Sequence, residues 1–266
     1  MFGRITPIVR NLLIVNIGIY FIGSFMRIDL NEYLSLRNLN SEFFQPFQFF
    51  TYMFLHGSTW HLISNMFGLF IFGPLLEQVW GPKRFLIFYI VTGVGAGILY
   101  SGINFVETRS FASAVEQYNA EPSPGKFKHI VEKKARLDVS RNPKLNSFIY
   151  DYDEQPDNPS YISESKLFLQ QVLYMKSNSQ MVGASGAIFG ILLAFGVLFP
   201  NTVLMLLFPP IPIKAKYFVA IYAVFELFAG IQRAAGDNVA HFAHLSGMLV
   251  GYILLRIWNK NRKRLF

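Results

Sequence analysis

At 266 residues, 52% apolar, 17% aromatic and only 15% charged, with a mean hydropathy of +0.33, the chain is too apolar for an ordinary soluble domain, and its solvent is expected to be a bilayer. Cysteine is absent, which excludes disulfides, thiolate metal sites and cysteine nucleophiles and leaves Ser, His and carboxylates for chemistry. The +8 charge would suit a nucleic-acid partner only if basic residues formed a patch interleaved with stacking aromatics; they are placed otherwise, so no nucleic acid is expected.

A transmembrane helix needs about 20 mostly apolar residues. In chain order such stretches fall at 8–26, 58–79, 84–105, 182–199, 215–231 and 239–258. The first follows Arg4 and Arg10 as a signal peptide would, but no small-x-small cleavage site comes after Met26, so it reads as a retained helix. Between the third and fourth stretches, residues 106–180 are polar, hold five prolines (Pro122, Pro124, Pro143, Pro156 and Pro159), and carry ten Lys or Arg against ten Asp or Glu. This insert cannot span a membrane and is too long for a simple loop. It is expected to be a small subdomain, or partly disordered around Asp151, Asp153, Glu154 and Asp157. Its last part, Tyr161 to Lys176, suits either a short helix on the membrane surface or a solvated tether. The expected organisation is therefore 1–105 with helices one to three, 106–180 as the insert, and 181–266 with helices four to six and a basic tail: an all-α membrane protein with a six-transmembrane-helix bundle.

Basic residues set the orientation. Arg4, Arg10, Lys83, Arg84, Lys214, Lys216, Arg256, Lys260, Arg262, Lys263 and Arg264 fall at one set of alternating ends, which are expected to be cytoplasmic together with both termini. The opposite ends carry Arg27, Arg37 and Arg233 against Asp29, Glu32, Glu42 and Asp237. The insert then lies on the outer side.

Polar residues within spans are costly and default to functional candidates. His56, His61 and Asn65 enter the second helix, Ser185 the fourth, His241 and His244 the sixth; Glu77 and Glu226 sit in the second and fifth. The second, fourth and sixth helices all run inward, so His61, Ser185 and His244 each fall about 4 to 8 Å below the outer boundary at 1.5 Å per residue. Ser185, in Gly183-Ala184-Ser185-Gly186, occupies a first helical turn, where unpaired backbone N–H groups and the helix dipole favour a developing oxyanion. The small residues there also suit plain helix packing. His244, Gly247 and Gly251 share one face of the sixth helix; if that face meets Gly186 and Gly190, the imidazole reaches the Ser185 hydroxyl as nucleophile and base require. His61 and Asn65, four residues apart, share a face and read as oxyanion donors beside the Ser185 N–H. A metal site on His56, His61, His241 and His244 competes, but it lacks a carboxylate expected at the same depth and a His-Glu-x-x-His motif; no metal and no cofactor is expected. Glu77, near the inner end, is expected to meet a helix end or a basic residue.

These motifs, in order, resemble the rhomboid family of bacterial six-helix membrane proteins. His56 to Asn65 resembles the family's second-helix His and Asn motif, Gly73 with Glu77 its Gly-x-x-x-Glu, Gly183 to Gly186 its Gly-x-Ser-Gly, and Ala243 to Gly251 its Ala-His-x-x-Gly-x-x-x-Gly. The resemblance implies an intramembrane serine endopeptidase of the bacterial inner membrane. In it Ser185 is the nucleophile, His244 the base, and His61, Asn65 and the Ser185 N–H the oxyanion donors, with no third carboxylate. It also implies that Phe189 packs an aromatic ring on the imidazole, and that substrates are single-pass membrane proteins cut near the outer boundary. Phe47-Gln48 stands where many members carry Trp-Arg, and the insert is longer than usual. A rhomboid-like binding protein without activity is the rival, which retention of Ser185, His244, His61 and Asn65 disfavours; a transporter has only Glu226 in its favour.

Overall fold

The computed structural model describes residues 5–206, 210–232 and 240–262, the side chains of 260–262 excepted. Arg4, Arg233, Asp237, Lys263 and Arg264, used above for orientation, lie outside the described residues, as do the side chains of Lys260 and Arg262.

The first helix, α1 (Pro7–Met26), begins at a proline, whose fixed φ suits the first helical position and whose missing N–H is no loss there. Thr6 makes no side-chain cap to its own helix. The carboxylate of Glu77 does that work from the neighbouring helix, accepting from the N–H groups of Ile8 (3.0 Å) and Val9 (2.9 Å) and from the Thr6 hydroxyl. An acidic group at a helix N-terminus meets both unpaired donors and the positive end of the dipole. Glu77 thus meets a helix end.

A loop segment follows, with α2 (Leu30–Leu34), β1 (Leu36–Arg37), α3 (Gln48–Thr51) and a 3-10 turn at Tyr52–Phe54. Gln48, 1% exposed, organises it: its side-chain oxygen accepts from the N–H groups of Arg37 and Gln45, and its amide donates to the carbonyls of Tyr33 and Phe43. Phe47, beside it, is exposed. The chain then enters α4 (Thr59–Trp80), capped by the Ser58 hydroxyl accepting from the His61 N–H at 3.1 Å. Gly81, at φ 78, makes the tight reversal into Pro82, the first residue of α5.

Helix α5 (Pro82–Ala120) does not stop at 105 as expected. No proline interrupts it before Pro122, and its 39 residues extend about 58 Å, roughly twice the thickness of a hydrocarbon core. Its outer half carries Phe111, Val115 and Tyr118 into a second hydrophobic core. That core is completed by α6 (Pro124–His129), the π and 3-10 turns that follow, α7 (Pro143–Glu154) and α8 (Pro159–Ser177). Two segments for which the sequence leaves alternatives open are helical here. The acidic run is not disordered, because Asp151, Asp153 and Glu154 lie on α7, whose other face buries Leu145, Ile149 and Tyr152. The 161–176 segment is no tether, because α8 buries Ser165, Leu169 and Val172 and packs along α5. The Tyr118 hydroxyl meets Ser165 and, at 3.1 Å, Tyr152.

Beyond α8, β2 (Gln180–Met181) pairs antiparallel with β1, placing Leu36 opposite Met181 and Arg37 opposite Gln180. Helix α9 (Ser185–Leu198) is the hub, packed by α4, α5, α10 and α11. A small hairpin, β3 (Val203–Met205) with β4 (Pro212–Lys214), leads into α10 (Ala215–Gln232), and α11 (His241–Arg262) closes the bundle. The architecture is all-α, with two minimal β-pairs as clasps. Helices α1, α4, α5 and α10 are each long and apolar enough to cross a membrane, whereas α9 is apolar but only 14 residues long. Exposed Ile14, Phe21 and Phe25 on α1 and Ile221, Val224 and Phe228 on α10 give the bundle an apolar surface suited to lipid.

Candidate active site

The site lies where α4, α9 and α11 begin and α10 ends. Ser185 is the first residue of α9, after a loop in which Gly183 adopts φ 126, a conformation that L side chains rarely hold. A Cβ at 183 would also lie 2.7 Å from the His61 imidazole, so the glycine lets His61 lie against the strand leading to the serine. The Gly183 N–H donates to the Tyr52 carbonyl at 2.9 Å, tying the loop to the 3-10 turn.

On α11 the glycine face meets α9. A Cβ on Gly247 would overlap the Gly186 carbonyl, and one on Gly251 would sit 3.2 Å from the Gly190 Cα. Gly186 and Gly190 in turn admit Ala96 and Thr92 of α5. This close approach puts His244 Nε2 2.9 Å from Ser185 Oγ. The His244 ring lies flat against Phe189, with centroids 4.1 Å apart and planes 6° from parallel. Tyr222 and Phe218 of α10 continue the stack.

His61 and Asn65 line the same cavity as Ser185 and His244, a space of about 970 Å³. The Asn65 amide donates to the His61 carbonyl of its own helix at 3.0 Å, so its use as an oxyanion donor requires a change of partner or its second N–H. His56, in the loop before α4, packs edge-on against His61 at 5.2 Å. Burial, with His61 nearby, pushes the His56 imidazole down to about 3.

One carboxylate overturns two expectations. Glu226 of α10, 3% exposed, places the same Oε2 atom 2.8 Å from His244 Nδ1 and 2.7 Å from His241 Nδ1. A carboxylate therefore does lie at the depth of the histidines, and the Ser–His pair does have a third group. The signal was available. Glu226 lies six residues before the end of α10, about 9 Å from that end, close to the depth assigned to His244. Tyr222, one turn earlier on the same helix, carries no such signal, because nothing in the sequence sets the facing of α10 on α9. Among the described residues, Glu226, His241 and His244 are also the cluster able to hold a metal ion, with ligand atoms all within 4.8 Å of one another. His56 and His61 stand apart from it.

Comparison with known proteins adds an independent line. The family profile described as Rhomboid domain matches residues 44–114 and 165–260, more than half of the chain. Every side chain of the site falls within these segments, and most of the insert falls between them. The chain is 35% identical over 88 residues to Rhomboid-like protein 11, chloroplastic, of Arabidopsis thaliana, covering 33% of this chain and 30% of that protein. It is 40% identical over 55 residues to RHOMBOID-like protein 6, mitochondrial, of the same plant, covering 21% of this chain and 18% of that protein. The chain thus matches less than a third of the length of either relative.

Proposed function

The chain belongs to the rhomboid family, and from that premise we propose that it is an intramembrane serine endopeptidase cutting single-pass membrane proteins near the outer membrane boundary. The observation that carries the reading is the 2.9 Å approach of His244 Nε2 to Ser185 Oγ at the start of an apolar helix, on the wall of a cavity of about 970 Å³.

The chemistry follows from that pair. As Oγ of Ser185 attacks a substrate carbonyl carbon, its proton passes to His244 Nε2. The carbonyl oxygen gains the charge and takes hydrogen bonds from the Ser185 N–H at the start of α9, from His61 and from Asn65. The C–N bond then breaks, the His244 proton goes to the leaving nitrogen, and an acyl ester remains on Ser185. Water, arriving through the cavity, gives a proton to His244 and its oxygen to the acyl carbon; the C–Oγ bond then breaks, the His244 proton returns to Oγ, and the new C-terminal acid leaves. Phe189 keeps the imidazole plane fixed throughout. Substrates are read as helices that unwind readily, because a fully bonded helix hides its carbonyls.

The six-span arrangement belongs to this reading: α9 and α11 cross with α1, α4, the first half of α5 and α10. Both termini then lie on the cytoplasmic side of a bacterial inner membrane, as the basic residues favour. Purified protein in lipid vesicles should cleave a single-pass model substrate, and Ser185→Ala should abolish the cut. Cleavage that survives Ser185→Ala removes the protease reading.

A further inference from the structure

The mechanism above leaves the most deeply buried charge of the site unused. We propose that Glu226 is a positioning residue, holding His244 in the one tautomer and ring orientation that serve Ser185, and that His241 braces the same carboxylate oxygen from the other side. The proposal rests on the reading of Ser185 and His244 as nucleophile and base, and extends it to a chain of four groups, Ser185–His244–Glu226–His241, drawn from α9, α10 and α11.

A neutral imidazole carries one proton, on either nitrogen, and only the form protonated at Nδ1 leaves an Nε2 lone pair for the serine proton. An ionised carboxylate only accepts, so Oε2 at 2.8 Å from His244 Nδ1 selects that form. As Nε2 takes up the serine proton the ring becomes an imidazolium, and a carboxylate against its far nitrogen stabilises the charge where water is excluded. The three groups are 3%, 7% and 8% exposed. A carboxylate so placed in an apolar bundle is costly unless its lone pairs are used, and His241 Nδ1 at 2.7 Å supplies the second donor. His241 is therefore a support for Glu226, one helical turn before His244.

The competing account is that Glu226 only ties α10 to α11. Glu226→Gln separates the two, because the amide still hydrogen-bonds the rings and preserves the tie, but it has no charge and, able to present either its oxygen or its NH2 group, no longer selects one tautomer. With 15N-histidine-labelled full-length protein in micelles, the His244 ring resonances should report the Nδ1–H form in the wild type and a mixture or the other form in Glu226→Gln. With a single-pass model substrate, kcat should fall by about 10²- to 10⁴-fold, the range of a positioned acid–base group, while KM stays within about twofold. Glu226→Asp should recover part of the rate. Glu226→Gln that cleaves within about threefold of wild type, or a wild-type His244 protonated at Nε2, overturns the proposal; the second result needs no variant to fold. If Ser185→Ala is inactive while Glu226→Gln is fully active, only the role of Glu226 falls. If Ser185→Ala still cleaves, the protease reading falls and takes this one with it.

Discussion

On the proposed reading the reactivity of Ser185 depends on how tightly the His244 ring is held, and three neighbours hold it from different directions. Phe189 covers one face, Glu226 bonds the far nitrogen, and the Gly247–Gly186 approach sets the distance. A stacked aromatic pair contributes about 0.5–1.5 kcal/mol, so Phe189→Leu should lower kcat by roughly 2- to 10-fold while leaving the protein folded, measurable as cleavage rate against thermal melting. His56 behaves differently. Its folded value of about 3 lies below the ordinary 6.5, so below pH 6.5 the unfolded chain binds a proton that the folded chain refuses. Its contribution to stability is thus fully present above pH 6.5 and lost as pH falls from there towards 3. Melting temperatures measured from pH 7 to pH 4 should decline less steeply in His56→Asn than in wild type, and parallel declines would contradict this account.

At the scale of elements, the contacts that fix helix positions are made by residues the apolar pattern does not single out. Glu77 holds the start of α1 against α4, and Glu77→Ala leaves two buried N–H groups unpaired, which should cost about 1–3 kcal/mol in reversible unfolding. Gln48 does the same for the outer loop with four backbone bonds, where the family resemblance leads one to expect a Trp-Arg pair. Gly247→Ala should cost more in activity than in stability. The new methyl must push α11 from the Gly186 carbonyl, overpacking of this kind costs about 1–3 kcal/mol, and a shift of even 1 Å breaks the 2.9 Å approach of His244 to Ser185. These elements also show what was legible in advance. The Gly186/Gly190 and Gly247/Gly251 faces could be matched from spacing alone, and the shared inward direction of three helices put His61, Ser185 and His244 at one level. Glu226 escaped because its partners lie on the next helix, and a periodicity argument stops at the helix surface. The run of α5 through residue 105 was legible in the absence of any proline between Pro82 and Pro122, but the polar composition of the stretch masks a helix that continues beyond the membrane.

Among the described residues, one long helix runs through the two largest of the hydrophobic cores. The bundle core around Leu69, Phe85 and Ile191 and the outer core around Phe127, Tyr152 and Leu169 have no buried residue in common; α5 runs through both, and Asn38 reaches Thr108 across the junction at 2.9 Å. The outer core was hidden in the sequence because its apolar residues are spread thinly among charges over some sixty positions, and only the tertiary arrangement gathers them. Phe127→Ala removes a fully buried ring and should destabilise the outer unit by about 3–5 kcal/mol. It should speed proteolysis within 121–158 and leave cleavage of a membrane substrate nearly unchanged if the site depends on the bundle alone. At the opposite end of the bundle, Trp80 and Trp258 pack at 5.5 Å and Arg84 lies over Trp258, an aromatic and basic belt of the kind that marks a membrane–water boundary. The site and the belt therefore lie at opposite ends of the bundle, which fits the proposed reading of a cavity that opens to one face of the membrane.

The central claim is that Ser185 is an activated nucleophile whose base is His244, and its most direct test is covalent labelling. A fluorophosphonate added to the full-length protein in micelles should modify Ser185 alone, as mapped by mass spectrometry, and His244→Ala should abolish the modification while the protein stays folded. Labelling that falls on another residue, or that persists at the same rate in His244→Ala, would contradict the account.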